Sequence, residues 1–295
     1  MPSWTVDGPT SLDFDEVTAL NVHLAGGTVA VLATDDRPSF VVTELGGRPL
    51  RVSHEAGKLT VGYEKPSLDG LFGWEKPSVD DLFGAERPSL DKLLGFLKPR
   101  HGTVAVTITV PADCPIQLGV SSASAVVSGL SAGASVRGLS GDITLDGVTG
   151  DVTAETMSGE VAACNIDGAI RFRSMSGGLT LAGGALDRLD ANSLSGQVTA
   201  DVTLAPSGSV HISTMSGDVT LRLPADSDAQ VRLHSTSGAV RSEFDSLTTT
   251  KGPASHAASG NVGAGTGHVS VTTVSGAVTL LRRATAQAEM ESKTR

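Results

Sequence analysis

The stretch that decides the fold is residues 139–180, LSGDITLDGVTGDVTAETMSGEVAACNIDGAIRFRSMSGGLT. Within it one short phrase recurs: an apolar residue, then Ser, Thr or Asp, then Gly, any residue, and a second apolar residue. Five copies of the phrase start nine residues apart, at Leu139, Val148, Met157, Ile166 and Met175. Because a fixed period is the sequence signature of repeat architectures, the stretch predicts a stack of similar structural units.

The Ser-Gly form of the phrase continues to the end of the repeat region. Eight copies lie 16 to 22 residues apart, with their serines at Ser140, Ser158, Ser176, Ser195, Ser216, Ser237, Ser259 and Ser275. Most glycines are followed by alternating polar and apolar residues, as in Asp218-Val219-Thr220-Leu221, which is typical of a half-buried strand. Gly supplies turn geometry, and the residue beside it can bond to the backbone at the turn. Each nine-residue unit is therefore predicted to form one strand and one corner.

These units predict an all-β fold, namely a β-solenoid (β-helix-like) of stacked coils of about 18–22 residues with a short helical insert. The apolar residues of each unit, including the one before the Ser, are expected to face one core. An antiparallel sandwich of consecutive hairpins is the alternative, because strands 8–12 residues apart suit that architecture as well.

The flanking sequence divides the chain into further regions. Near the N-terminus, Leu20–Leu24 and Thr28–Val31 alternate around Gly26-Gly27, which predicts a β-hairpin. The predicted regions are a β-strand region at 1–63, a period-11 amphipathic insert at 64–100, the Ser-Gly solenoid at 101–283 and a polar tail at 284–295.

The insert contains three tandem copies, EKPSLDGLFGW (64–74), EKPSVDDLFGA (75–85) and ERPSLDKLLGF (86–96). Apolar residues at i, i+3 and i+4 between an early Pro and a closing Gly predict one face of a short helix. Helices this short need a docking surface. The insert is therefore a candidate partner contact, a cap on the first coil or a duplicated linker. The candidate contact residues are Leu68, Leu71, Phe72, Trp74, Val79, Leu82, Phe83, Leu90, Leu93 and Phe96.

Composition and charge exclude several classes of protein. Glycine contributes 35 of 295 residues and aromatic residues only 3%, which disfavours a helical protein and a platform of stacked aromatics. The net charge of −10 gives no basic footprint for nucleic acid. Cys114 and Cys164 lie 50 residues apart, which indicates neither a zinc site nor a disulfide framework.

The first residues, MPSWTVDGPTSLDFDEV, show no basic segment followed by an apolar one, and no apolar run is long enough to cross a membrane. A cytoplasmic location is therefore expected, with exposure at the cell surface open only through a non-classical route. The sequence does not indicate an oligomeric state.

Candidate catalytic and metal-binding groups are few. The recurring Ser is predicted to be a structural corner residue, because no GxSxG elbow and no matched His accompany it. Asp142 and Glu160 could stack one coil apart, and a cation would relieve their repulsion, although solvated corner carboxylates are the simpler explanation. Asp187, Arg188 and Asp190 are the nearest cluster to a sugar-cleaving site, but no aromatic residue lies beside them. We therefore expect no catalytic residue, no cofactor and no metal ligand.

The alternating N-terminal strands, the segment TVAVTITVPADCP (103–115) and phrases such as Ser-Gly-Asp-Val-Thr at 216–220 resemble the bacterial adhesin-like β-strand-repeat family, a domain of unknown function. The resemblance covers about residues 5–283, and it implies no catalytic residues. The insert departs from the family pattern.

Together these observations predict a non-catalytic, adhesin-like β-repeat protein that binds or scaffolds a partner. The partner would be a protein or a cell-surface component. A carbohydrate-active β-helical enzyme and a surface-exposed adhesin are the alternatives.

Overall fold

The structure is a computed structural model that describes residues 2–63, 104–252 and 255–283, and every regular element within those ranges is a β-strand. No helix in the described part of the chain has the length and apolar character needed to span a membrane. The 22 strands, in chain order, are β1 Ser3–Val6, β2 Thr10–Asp13, β3 Ala19–Ala33, β4 Ser39–Leu45, β5 Leu50–Glu55, β6 Lys58–Tyr63, β7 Val104–Val110, β8 Ile116–Ser128, β9 Ala134–Gly138, β10 Ile143–Asp146, β11 Thr149–Thr156, β12 Val161–Cys164, β13 Asp167–Ser174, β14 Leu179–Ser193, β15 Val198–Thr214, β16 Val219–Pro224, β17 Ala229–Ser235, β18 Val240–Ser242, β19 Thr248–Gly252, β20 Ser255–Val262, β21 Gly267–Thr273 and β22 Val278–Arg283.

Two ladders of parallel strands run through the repeat region. The first ladder joins β8, β10, β12, β14, β15 and β16, and the second joins β8, β9, β11, β13, β14 and β15. The long strands β8, β14 and β15 belong to both ladders because each bends from one to the other. We call a pair of strands, one in each ladder, together with its corner, a coil.

The register of the ladders reproduces the sequence period. Ile143 pairs with Val161, and Val152 pairs with Ile170, so neighbouring coils are 18 residues apart. Parallel pairing of successive repeats gives a solenoid-like all-β fold, and the strands of the two ladders do not form consecutive hairpins. Antiparallel pairs occur instead at both ends, for example between β5 and β6 and between β19 and β20.

The core lies between the two ladders and consists mainly of aliphatic side chains. In β10 the side chains of Ile143 and Leu145 are buried while Thr144 and Asp146 are exposed, as the alternating sequence predicts. Each buried Val, Leu or Ile side chain contributes about 1.5–3 kcal/mol relative to an exposed one. Such small side chains fit between closely spaced strand layers, which accounts for the low aromatic content.

The predicted hairpin around Gly26-Gly27 is wrong, because β3 is one strand that crosses from the second ladder to the first. Its two halves pair in parallel with the same partner strand β8, as in the pairs Leu20–Ile116 and Thr28–Ser124. On their other side the two halves pair with β6 and β7. The strands β6 and β7 therefore form one coil outside β3, and residues 64–103 connect its two strands.

The C-terminal strands do not stack in chain order. β21 lies between β15 and β17 in the second ladder, and β22 lies between β16 and β18 in the first. The chain therefore leaves one coil position vacant and fills it with its last coil. The copy at Ser259-Gly260 is not a corner, since it belongs to β20, which pairs antiparallel with β17 and β19.

Candidate functional site

The corners that carry Ser-Gly all lie on one edge of the solenoid, which we call the Ser-Gly edge. The backbone N–H of Ser158 donates to the carbonyl oxygen of Leu139 at 3.0 Å, and that of Ser176 donates to Met157 at 2.9 Å. The same pattern continues to Ser275, which donates to Met215. The edge is thus a continuous backbone ladder with one corner per coil.

Glycine is required on this edge because neighbouring backbones approach closely there. A Cβ built on Gly177 would overlap the carbonyl group of Gly159, and one built on Gly196 would overlap that of Gly177. These glycines do not have positive φ angles. The prediction that the glycine provides a special turn geometry is therefore wrong. Glycine is needed because stacked corners approach too closely for a side chain to fit.

At six of the seven Ser-Gly corners, an inward-facing hydroxyl three residues before the glycine closes the corner. The side-chain oxygens of Ser193 and Thr156 accept hydrogen bonds from the backbone N–H groups of Gly196 and Gly159, at 2.8 and 2.9 Å. The recurring phrase does not include this position, although the pattern Ser/Thr-x-Ser-Gly is visible in the sequence. The residues that occupy it are Thr156, Ser174, Ser193, Thr214, Ser235 and Thr273.

The residue before the recurring Ser is exposed at every corner and apolar at all but Thr236, which corrects the expectation that it faces the core. Alternation along the strand explains this orientation: once the hydroxyl points inward, the next side chain must point outward. These apolar side chains are 42% to 52% exposed. They occupy consecutive coils and form what we call the apolar ridge: Leu139, Met157, Met175, Leu194, Met215 and Val274.

A groove of about 820 Å³ runs along the apolar ridge. Its wall carries charged side chains, with the half-buried Glu155 bonded to Arg137 at 3.0 Å and to Arg173 at 3.3 Å. A second hollow of about 410 Å³ shares Arg137 and Leu139 with the groove and extends to His23 and Tyr63. The groove and the hollow together follow the Ser-Gly edge from the ridge to the strand that precedes the insert.

The structure gives the two weak chemical candidates ordinary structural roles. Asp142 accepts a hydrogen bond at 3.1 Å from the backbone N–H of Glu160, one coil away. Asp190 accepts one from Asn192 at 2.8 Å and lies 3.6 Å from the guanidinium of Arg188. In residues 2–63, 104–252 and 255–283, no three His, Cys, Asp or Glu side chains are grouped to hold a metal ion.

Ten apolar residues of the insert were predicted from the sequence to contact a partner. All ten lie outside the described residues. The exposed apolar surface that the structure describes is therefore different from the predicted one. It comes from the first residue of the Ser-Gly phrase itself.

The pKa values of Asp201 and Cys114 are shifted from their ordinary values. A hydrogen bond from Arg222, reinforced by the charges of Arg283 and Arg222, holds the pKa of Asp201 below its ordinary value. Arg283 also bonds to Thr203 at 2.8 Å, so this network ties the last strand to β15. Burial, with a smaller effect of Asp113, raises the pKa of the Cys114 thiol to about 11.

Three proteins of known structure align with most of this chain at low sequence identity. A candidate adhesin of Bacteroides fragilis is 11% identical, covers 93% of this chain and 97% of its own, and gives a TM-score of 0.36. A candidate adhesin of Parabacteroides distasonis is 11% identical with coverages of 94% and 98% and a TM-score of 0.35. A candidate cell adhesion protein of Clostridium sporogenes, also 11% identical, covers 93% and 100% with a TM-score of 0.24.

No curated protein sequence matches the chain. The family model described as Toastrack DUF4097 matches residues 98–281, which include all the Ser-Gly corners. This match confirms the resemblance to an adhesin-like repeat family of unknown function. The chain belongs to the Toastrack DUF4097 family.

Proposed function

We propose that this protein is a non-catalytic binding scaffold whose contact surface is the apolar ridge. The observation that carries the proposal is the row of six exposed Leu, Met and Val side chains in consecutive coils. Contiguous exposed apolar surface marks interaction sites in folded proteins, whereas single exposed apolar residues need no explanation. Three of the six are Met, whose flexible side chain adapts to different partner surfaces.

The surroundings of the ridge support binding rather than catalysis. The side chains next to it are the buried hydroxyls, which are engaged with the corner backbone, and the Arg137–Glu155–Arg173 ion pairs. Such a surface offers apolar contact area with a charged rim, as protein interfaces do. It offers no activated nucleophile and no acid–base pair.

The test starts with a photo-crosslinking amino acid at Met175 in the native host, so that a partner bound at the ridge is trapped and identified. The control carries the same amino acid at Thr144, an exposed position on the outer face of the first ladder. The purified partner is then titrated against the protein and against a Met157→Ser, Met175→Ser variant.

We expect the double substitution to weaken binding at least about tenfold, which corresponds to about 1.4 kcal/mol. A Thr144→Ala substitution is expected to leave the affinity unchanged. Equal affinity of the double variant and the unmodified protein would show that the ridge is not the contact surface.

A further inference from the structure

We propose that residues 64–103 of this chain dock in the groove along the apolar ridge of the same molecule. The inference rests on the proposed function, because it takes the ridge to be a contact surface and names an occupant for it. The protein would then carry its own ligand for the ridge, and an external partner would compete with that segment.

The two ends of the segment lie at the same corner of adjacent strands. In β3, only Ala25 and Gly26 lie between Leu24 and Gly27 as the strand turns the corner. In the adjacent coil, the equivalents of Leu24 and Gly27 are Tyr63 and Val104, and 40 residues replace the two. The two strands that the segment connects therefore meet at the Ser-Gly edge.

Both ends of the segment lie next to the surface that it would occupy. Tyr63 lines the smaller hollow, which shares Arg137 and Leu139 with the groove. At the other end, Val104 packs so closely on Gly27 that a Cβ there would overlap the backbone of Val104. The segment thus leaves the fold beside the hollow that adjoins the groove and re-enters it one strand away from Gly27.

The segment is long enough to span the apolar ridge. Eight strand spacings separate Tyr63 from Val274 at the far end of the ridge, which is about 38 Å at about 4.8 Å each. Half of the 40 residues, fully extended at about 3.3 Å per residue, span about 66 Å. The segment can therefore run the length of the ridge and return, even if part of it is more compact than a strand.

The segment and the groove are chemically complementary. The three tandem copies at 64–96 provide apolar residues in every repeat, which match a surface of Leu, Met and Val side chains. The copies contain seven acidic and four basic residues, whereas the groove wall carries two exposed arginines for one glutamate. A weakly acidic apolar segment therefore fits the wall, and an anionic membrane would be repelled by the net charge of −10.

The experiment uses the full chain with the photo-crosslinking amino acid at Met175 and the matched control at Thr144. We expect the Met175 probe, and not the Thr144 probe, to couple to peptides from residues 64–96 within a product of monomer mass. Coupling to the same peptides in a product of dimer mass would overturn docking within one molecule and assign the groove to a second copy. Failure to couple to any part of 64–103 would overturn the inference altogether.

A second measurement uses the methionine methyl groups of Met157, Met175 and Met215 as probes of the ridge. Residues 64–103 are replaced by Ala-Gly, the connection that β3 uses at the same corner. We expect the three ¹³C-methyl resonances to shift and the binding of a hydrophobic dye to increase as the ridge is uncovered. Unchanged resonances and dye binding would contradict the inference.

The proposed function and this inference can fail independently. If the ridge variant Met157→Ser, Met175→Ser loses its external partner but the segment never couples to Met175, only the docking inference is wrong. If the segment couples to the ridge but the double variant binds its external partner normally, only the proposed function is wrong. Should the Ala-Gly replacement fail to fold, the crosslinking result in the full chain still decides the question.

Discussion

The hydroxyl oxygens of Thr214 and Thr273 lie 2.8 Å apart in the core, although 59 residues separate them in the sequence. Thr214 ends β15 and Thr273 ends β21, the strand that enters the stack out of chain order. Both hydroxyls also lie within hydrogen-bond distance of the carbonyl oxygen of Gly217. The pair therefore joins the last coil to one that the chain completes much earlier.

Replacing Thr273 with Val should destabilise the protein because it removes this hydroxyl without changing the volume of the side chain. The backbone N–H of Gly276, which donates to the Thr273 hydroxyl at 3.1 Å, would be left buried and unpaired. We expect a loss of about 1–3 kcal/mol in the free energy of unfolding, measured by chemical denaturation.

The matched control for this substitution is Thr273→Ser, which keeps the hydroxyl and occurs naturally at the equivalent positions Ser193 and Ser235. The Ser variant should lose about 0.8 kcal/mol in the free energy of unfolding, which is the contribution of one buried methyl group. Equal losses for the Val and Ser variants would mean that the hydroxyl does not stabilise the corner.

Substitution of Gly177 by Ala should be strongly destabilising, because the new Cβ would overlap the backbone of Gly159 in the next corner. The neighbouring carbonyl belongs to the ladder and cannot move without disturbing the stack, so we expect a loss of about 3 kcal/mol. Gly26→Ala is the control, since a Cβ there meets no atom within 4 Å on the same edge. Its cost should stay within about 0.5 kcal/mol. A comparable loss of unfolding free energy in both variants would mean that glycine is required for its backbone conformation and not for the close approach.

Much of this architecture was predictable from the sequence, because the period of 18 residues and the alternation in β10 are local signals. The outward orientation of the ridge side chains was not predicted, because it depends on the inward-facing hydroxyl that precedes Met157 and Met175. The copy at Ser259 shows a second limit. Its phrase matches the repeat, yet its strand pairs antiparallel, and only the contacts with β17 distinguish it from a corner. The vacant coil that β21 fills also has no local sequence signal.

The thiol of Cys114 should resist alkylation up to high pH, because burial raises its pKa to about 11 from an ordinary value of 9.0. A raised pKa in the folded state stabilises the protein below pH 9, and this contribution is lost as the pH rises toward 11. Mass spectrometry after iodoacetamide treatment at pH 8 should show modification of the partly exposed Cys164 before Cys114. Equal rates at the two thiols in the folded protein would contradict the burial of Cys114.

Asp201 should make the attachment of the last strand sensitive to acid. The hydrogen bond from Arg222 and the charge of Arg283 lower its pKa below 3.8, so its contribution to stability is present above that pH. The contribution is lost as the pH falls through the lowered pKa. In thermal unfolding, Asp201→Asn should lower the midpoint at pH 7 and should show a smaller further decrease on acidification than the unmodified protein. Parallel pH profiles of the two proteins would show that this carboxylate does not couple to folding.

Leu189 and Leu194 provide a test of whether the apolar ridge serves folding or binding, because they are the same residue type five positions apart. Leu189 is fully buried between the ladders, whereas Leu194 on the ridge is 42% exposed. Leu189→Ala should cost about 2–5 kcal/mol, since it removes core atoms and leaves a cavity.

Leu194→Ala should cost less than about 1 kcal/mol, because the side chain makes only part of its possible contacts within the protein. The two free energies of unfolding come from matched denaturant titrations of the two variants. A ridge substitution as costly as the core substitution would mean that the ridge is needed for folding. A small cost combined with loss of partner binding or of segment docking would mean that these side chains are exposed because other chains or segments contact them.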